Sequence, residues 1–255
     1  MATNKLIKLK KISTIAPKSL DRDKIEAKTL KLLSELCELQ RKFTAEAKKS
    51  LLIIIQGMDA SGKDGLTRDV MGVINPSAMN VISFKTPTKE ELAHDFLWRV
   101  HQHTPGKGRV HIFNRSHYED VLITRVLDLV DNKTAKKHFQ SINDFEEHLE
   151  RNGTKIVKLY LHISKEEQKE SLTDRIEDDR KYWKHNDGDW TTREHWNEYM
   201  KYYEEVFANC SKVDWHIIPS DQNWYKEYLV ADLLVKTLKK IKPKYPALQT
   251  EVFKK

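Results

Sequence analysis

Leu51-Leu52-Ile53-Ile54-Ile55 is an unbroken aliphatic run, and after one glutamine it leads into Gly57-Met58-Asp59-Ala60-Ser61-Gly62-Lys63-Asp64. An apolar run without polar alternation marks a strand buried on both faces, as in a parallel sheet covered by helices. The glycines turn the chain sharply, and a helix is expected from Lys63 to about Gly72. The bare pattern GxxxxGK would arise by chance in about 7% of chains this long. Requiring a buried strand before it and a helix after it lowers this to about 1%. In that setting the glycines let backbone amides approach phosphate oxygens, the helix start adds partial positive charge, and Lys63 spans the phosphates.

The loop departs from its usual form in two places. Asp64 stands where a Ser or Thr hydroxyl ordinarily ligates Mg²⁺, and Asp59 lies inside the turn. Acids beside a phosphate site repel the ligand unless a cation intervenes. Asp59 is therefore the better metal anchor, while Asp64 also suits a structural place at a helix N-terminus. Ala60, Ser61, Gly62, Lys63 and Asp64 form the candidate phosphate-binding set.

Strands and helices alternate along the rest of the chain. Asp23-Lys24-Ile25-Glu26 resembles a capping box ahead of an amphipathic helix with Leu32, Leu36, Leu39, Phe43 and Ala47 on one face. Further strands are expected at Val81–Phe84, Val110–Phe113, Lys155–Leu161 and Trp215–Ile218. Helices are expected over Glu90–Val100, through Val121 to Leu129, over 134–150, after Ser164, after a cap at Thr191-Thr192-Arg193-Glu194, and over 223–241. This order implies an α/β fold, a parallel five-stranded sheet with helices on both faces. One domain covers 1–255, with a basic extended arm over 1–20 and a candidate lid over about 165–195.

The 255 residues carry a net charge of +7, with 33% charged and 39% hydrophobic residues. That balance favours anionic partners without choosing among them. Cys37 and Cys210 lack metal or disulfide spacing. The start has no signal-peptide stretch and no run is long enough to span a membrane, so a cytoplasmic protein is expected, with no membrane partner.

The strand beside a phosphate-loop strand usually ends in an Mg²⁺-orienting Asp. Here Asn114 holds that place, followed by Arg115-Ser116-His117-Tyr118-Glu119-Asp120. An amide can ligate Mg²⁺ or its water but adds no charge, which gives Asp59 more weight. Arg115 is placed to reach phosphate at the carboxyl end of the sheet. Glu119, four residues on, either contacts metal, water or an acceptor, or only pairs with Arg115.

These residues, with Asn75-Pro76, Phe84-Lys85-Thr86-Pro87-Thr88, Asp95-Phe96-Leu97-Trp98-Arg99, Val121-Leu122, Tyr182-Trp183-Lys184, Arg193-x-x-Trp196-x-x-Tyr199 and Ile217-Ile218-Pro219-Ser220-Asp221, resemble the polyphosphate kinase 2 family over about residues 20–240. The resemblance implies a P-loop kinase-like three-layer sandwich, similar to thymidylate kinase, with a helical lid. It implies phosphoryl transfer between inorganic polyphosphate and adenine nucleotides, with guanine nucleotides as further candidates and no nucleic acid. The Asn-Arg-Ser-His-Tyr-Glu segment is similar to the class III branch that accepts both AMP and ADP. Mg²⁺, with Mn²⁺ as a substitute, is implied near Asp59 and Asn114, with Lys63, Arg115 and Arg175 on the phosphates and Glu119 completing the catalytic set. Lys85, Arg125, Lys184 and Arg193 belong to the basic pool from which a polyphosphate track would draw. His185 and Gln222 depart from the family pattern. A homodimer or homotetramer is also implied. The competing readings are an ATP-dependent nucleotide or nucleoside kinase and a basic nucleic-acid-binding module without turnover.

Overall fold

A computed structural model describes residues 7–250 and Val252 of the chain. Five strands, β1 (Ser50–Gly57), β2 (Met79–Ser83), β3 (Val110–Asn114), β4 (Thr154–His162) and β5 (Trp215–Pro219), form a parallel sheet in the order β2-β3-β1-β4-β5. The helices are α1 (Arg22–Glu46), α2 (Lys63–Asp69), α3 (Lys89–Leu92), α4 (Trp98–His101), α5 (Ile123–Val126), α6 (Asn132–Arg151), α7 (Lys165–Glu177), α8 (Asp187–Glu194), α9 (Trp196–Asn209) and α10 (Asn223–Ile241).

Every residue of β1 is buried, as its aliphatic run requires. The pleat sends Leu51, Ile53 and Ile55 to one face, where they pack with Leu36 and Phe43 of α1 and Val230 and Leu234 of α10. Leu52 and Ile54 point to the other face, among Phe139 and Ile142 of α6 and Tyr203 and Phe207 of α9. Each such side chain contributes about 1.5–3 kcal/mol on burial. The result is three layers with β1 central, so the loop that follows it opens at the carboxyl edge of the sheet, where ligands of such folds collect. No helix among the described residues is long and apolar enough to cross a membrane.

The local structure corrects several boundaries. The cap of α1 is Asp21, whose Oδ1 accepts from Lys24 N at 3.2 Å, rather than Asp23. The helix expected over Glu90–Val100 is two single turns, because Asp95 Oδ1 takes Leu97 N at 3.0 Å and restarts the chain. The segment after Asn114 is a 3-10 turn, His117–Val121, followed by the short α5. Thr191-Thr192-Arg193-Glu194 lies inside α8, itself capped by Asn186, which accepts from Gly188 N at 3.0 Å, and α9, the helix that bears Trp196 and Tyr199, follows His195 with no side-chain cap. The capping role of Ser164 agrees with the sequence, its Oγ accepting from Glu167 N at 3.0 Å. Of the arm, residues 1–6 lie outside the described residues. Residues 7–20 are not a free extended strand: Leu9 is 1% exposed, and Thr14 Oγ1 donates to Asp221 Oδ2 at 2.6 Å.

Candidate active site

The phosphate loop begins where β1 ends. Ser61 N donates to Met58 O at 3.1 Å, closing the turn, and Ala60 and Gly62 adopt left-handed φ values of +62° and +85°. Gly62 starts α2 with no side-chain cap. Lys63 folds back so that its Nζ donates to the carbonyls of Gly57 (2.8 Å) and Met58 (2.9 Å). Burial lowers its pKa; Asp59 opposes the shift, and Arg115 adds to it. Ser61 is buried, and its Oγ has no hydrogen-bond partner.

The register of the sheet sets Asn114 beside Ile55, at the level of the loop. There the two departures of the sequence meet: Asn114 Nδ2 donates to Asp64 Oδ1 at 2.5 Å. The carboxylate missing from the end of β3 is present across this bond, on the first turn of α2. The next residue, Arg115, has φ +63°, an uncommon conformation for a residue with a side chain. It turns the guanidinium onto Asp59 Oδ1, at 2.5 Å. Partial burial lowers the Arg115 pKa, but Asp59 and Glu119 more than offset this and hold it above the ordinary value.

Glu119 joins the same group, although the helix that would have placed it four residues from Arg115 is a 3-10 turn. With the Gln56 amide oriented to satisfy its neighbours, its nitrogen donates to Glu119 Oε1 at 3.0 Å and its oxygen accepts from Ser116 N at 3.1 Å. Burial raises the Glu119 pKa, while Arg115 and Lys63 pull it down. Asp120, next in the chain, is pushed up to about 6 by burial, partly opposed by Arg99, and its Oδ2 has no hydrogen-bond partner. A carboxyl whose folded pKa is raised contributes stability below its unfolded pKa and loses it as the pH rises through the folded value. Asp120→Asn is therefore expected to be more stable than the parent at pH 7, by about 3 kcal/mol, and this advantage disappears below about pH 4. Urea unfolding of both proteins at pH 4 and pH 7 checks it; equal differences at the two pH values would contradict it.

The remaining candidates divide by position. Lys85 is exposed on the cavity rim. Arg175 donates to Asp189 Oδ2 at 2.6 Å and to the Lys184 carbonyl at 3.1 Å, and so ties α7 to α8. The charge of Asp59 acts on Asp189, and with burial it raises the Asp189 pKa, so this ion pair stands close to the loop. Lys184 is exposed, its Nζ 4.9 Å from the Trp183 ring centroid. Arg193 is half-buried and binds the Lys165 carbonyl (2.6 Å) and Gln168 Oε1 (3.1 Å). Arg125 departs most from expectation. It is 5% exposed, bonded to Glu205 Oε2 at 2.6 Å and Asn132 Oδ1 at 2.8 Å, and lies 3.9 Å from the Tyr202 ring centroid. These partners anchor α5 to α9, and the guanidinium does not line the cavity at the loop.

That cavity, of about 340 Å³, is bounded by Gly57, Met58, Asp59, Arg115, Glu119, Asp120, the α8 cap Asn186, and Gly188, Asp189 and Thr192 of α8. Its other wall is apolar: Phe84, Pro87, Ile123, Leu127, Leu129, Tyr199 and Tyr203. Leu127 and Leu129 are 55% and 72% exposed at its lip. The sequence carries no clear signal for this wall, because its members come from three separate segments. A wider hollow on α7, lined by Glu166, Glu170, Asp174 and Glu177 together with Lys169 and Arg193, carries both signs of charge and does not include the loop.

Comparison with known proteins agrees with this fold. A family model described as polyphosphate kinase 2 matches residues 19–246. A Meiothermus ruber protein named AMP/ADP-polyphosphate phosphotransferase is 44% identical over 215 residues, 84% of this chain and 80% of its own length. A Rhodopseudomonas palustris protein named ADP-polyphosphate phosphotransferase is 38% identical over 228 residues, 84% of this chain and 79% of its own. The crystal structure of polyphosphate kinase 2 from Arthrobacter aurescens TC1 superposes with a TM-score of 0.93 at 37% identity, covering 96% of this chain and 90% of that one. The chain therefore belongs to the polyphosphate kinase 2 family of phosphotransferases.

Proposed function

We propose that the chain moves a phosphoryl group between inorganic polyphosphate and AMP or ADP, in either direction, with a divalent cation. The observation that carries this reading is the convergence of Lys63, Asp59–Arg115, Asp64–Asn114 and Glu119 at one mouth, under a segment tied by Arg175–Asp189. The names of the relatives from Meiothermus ruber and Rhodopseudomonas palustris support polyphosphate as donor and AMP or ADP as acceptor.

Among the described residues no group of three or more His, Cys, Asp or Glu side chains is placed to hold a metal ion alone. This fits Mg²⁺, which is ordinarily bound by one or two carboxylates together with substrate phosphates and waters. Asp59 would hold it, with Asp64 and Asn114 beside it, and Mn²⁺ suits the same oxygen donors. When bound, the ion supplies neutralisation of phosphate charge. The side chains do the rest by positioning and electrostatics, which is most of what phosphoryl transfer requires. Lys63 exchanges its two carbonyl partners for phosphate oxygens. Arg115, already turned toward the loop, stabilises charge on the transferring group. Glu119, fixed by Gln56, helps position the acceptor phosphate through the cationic Arg115 beside it, or holds a second Mg²⁺. The apolar wall takes the nucleobase, adenine first and guanine as a further candidate. We also infer that residues 165–195 close as a lid, with Arg175 at its hinge with α8, which excludes water from the reacting phosphates. Residues 1–255 act as one domain, assembled as a homodimer or homotetramer in the cytoplasm, with no nucleic-acid partner.

A product-resolved assay with AMP, ADP, GMP or GDP, Mg²⁺ and long-chain polyphosphate, without ATP, tests this reading. ADP and ATP formed from AMP are the expected result. No ADP from AMP would overturn the AMP assignment, and no product from any acceptor would overturn the polyphosphate reading.

A further inference from the structure

Lys226 lies on the first turn of α10 and is 2% exposed. Its Nζ presses against the phosphate loop: a Cβ placed on Gly62 would overlap it. The ammonium makes one hydrogen bond, to Asn223 Oδ1 at 2.7 Å. Glu227, Asp69 and Glu167 act on it only through space, and burial lowers its pKa. An ammonium carries three donors, and leaving them unused in a buried site is costly. Among the described residues the other deeply buried lysines use more of theirs. Lys158 bonds Glu146, Tyr118 and the Cys210 carbonyl, and Lys63 bonds two loop carbonyls. Lys226 alone of these three keeps two donors in reserve at the wall of an anion site.

Its place in the sheet indicates which anion. Residues after β2 and β3, on one side of β1, supply most of the lining of the cavity with the apolar wall, and the α8–α9 region, which follows β4, adds Asp189, Thr192, Tyr199 and Tyr203. Lys226 follows β5, on the opposite side of β1, and does not line that cavity. The arm docks on this second side: Thr14 binds Asp221 and Ala16 N donates to Gln222 Oε1 at 2.9 Å, four to five residues before Lys226. Along the arm Lys10, Lys11 and Lys18 are exposed. An acceptor nucleotide on the β2–β3 side leaves the β5 side for the rest of the donor.

We propose that Lys226 is a ligand of the donor polyphosphate, gripping phosphates beyond the one spanned by Lys63, at the start of a basic path that runs toward the docked arm. This deepens the polyphosphate reading above and rests on it. The path crosses the phosphate loop from acceptor side to donor side, and the donor chain leaves over α10 as well as under the lid.

Steady-state kinetics of Lys226→Gln and Lys226→Met, with AMP as acceptor and long-chain polyphosphate varied, test the assignment. Glutamine preserves a hydrogen bond to Asn223 should methionine fail to fold, and circular dichroism with thermal melting checks each variant. The KM for polyphosphate should rise about tenfold or more, the size expected for one charge-assisted hydrogen bond, with the KM for AMP and kcat at saturating donor unchanged. Titration of nucleotide-free protein with polyphosphate should show the same loss of affinity. Unchanged donor KM and affinity in a folded variant, or a rise in the AMP KM instead, would overturn the proposal. If the parent protein forms no product from any acceptor, the catalytic reading fails by itself, and the titration still decides whether Lys226 binds polyphosphate.

Discussion

Lys63→Ala is expected to lower the rate of phosphoryl transfer by about 10²–10³-fold, the scale for removing one preorganised donor from developing negative charge. The fold should survive. The Lys63 ammonium is buried against two carbonyls of its own loop, and desolvation already works against its charge, so the alanine variant gives up little packing. Asp59→Ala is expected to be at least as damaging to turnover, because this carboxylate is the proposed metal anchor and also holds the Arg115 guanidinium at the loop. Rates measured across a Mg²⁺ titration, beside melting curves, check both variants. Near-normal Mg²⁺-dependent turnover in Asp59→Ala would show that the metal is held elsewhere, with Asp64 the next candidate.

The largest effect on stability is expected from Lys158→Ala. Lys158 and Glu146 are both fully buried beneath the Arg115–Glu119 segment and are paired at 2.7 Å. Lys158 also donates to Tyr118 Oη at 2.9 Å and to the Cys210 carbonyl at 2.9 Å, while Tyr118 donates to Glu146 Oε1 at 2.7 Å. Burial works against the charge of Glu146, yet Lys158 holds its pKa below the ordinary value; burial lowers the pKa of the adjacent His117. Removing one partner leaves an uncompensated buried charge, at a cost of about 3–5 kcal/mol. Against a total of about 5–15 kcal/mol for a typical domain, that is a large fraction. The pair replacement Lys158→Met with Glu146→Leu removes both charges and should recover much of the loss. Urea unfolding of the single and double variants measures the difference. A loss under about 1 kcal/mol for Lys158→Ala would mean that Glu146 takes up a proton without disturbing its neighbours.

Asp64 and Asn114 show how far residue types can be read without contacts. Each is recognisable in the sequence as a departure at a metal position, but whether they meet depends on the register of β3 against β1. The bond between them makes one arrangement out of two oddities. Asp59 and Arg115 are also separately legible, the first by its place in the loop and the second by its place after a strand. Their pairing needed the left-handed turn at Arg115, which no periodicity reports. Glu119 illustrates a right neighbourhood reached by another route: helical spacing suggested it, and a 3-10 turn braced by Gln56 delivers it. Arg125 shows the reverse. As a basic residue in a basic chain it was a fair phosphate candidate, until Glu205, Asn132 and Tyr202, distant or unremarkable in sequence, closed around it.

What the chain states locally is the strand, the loop and the alternation of elements. A doubly buried strand needs continuous aliphatics, a phosphate loop needs glycines and a lysine at fixed spacing, and helix caps need small polar side chains, so each leaves a mark within a few residues. The apolar wall, the tie between Arg175 and Asp189, the buried Lys158–Glu146 pair and the contact of Lys226 with Gly62 leave no such mark. They join residues from separate segments, and a side chain's partners across the sheet are set by strand order and packing, which are properties of the whole fold.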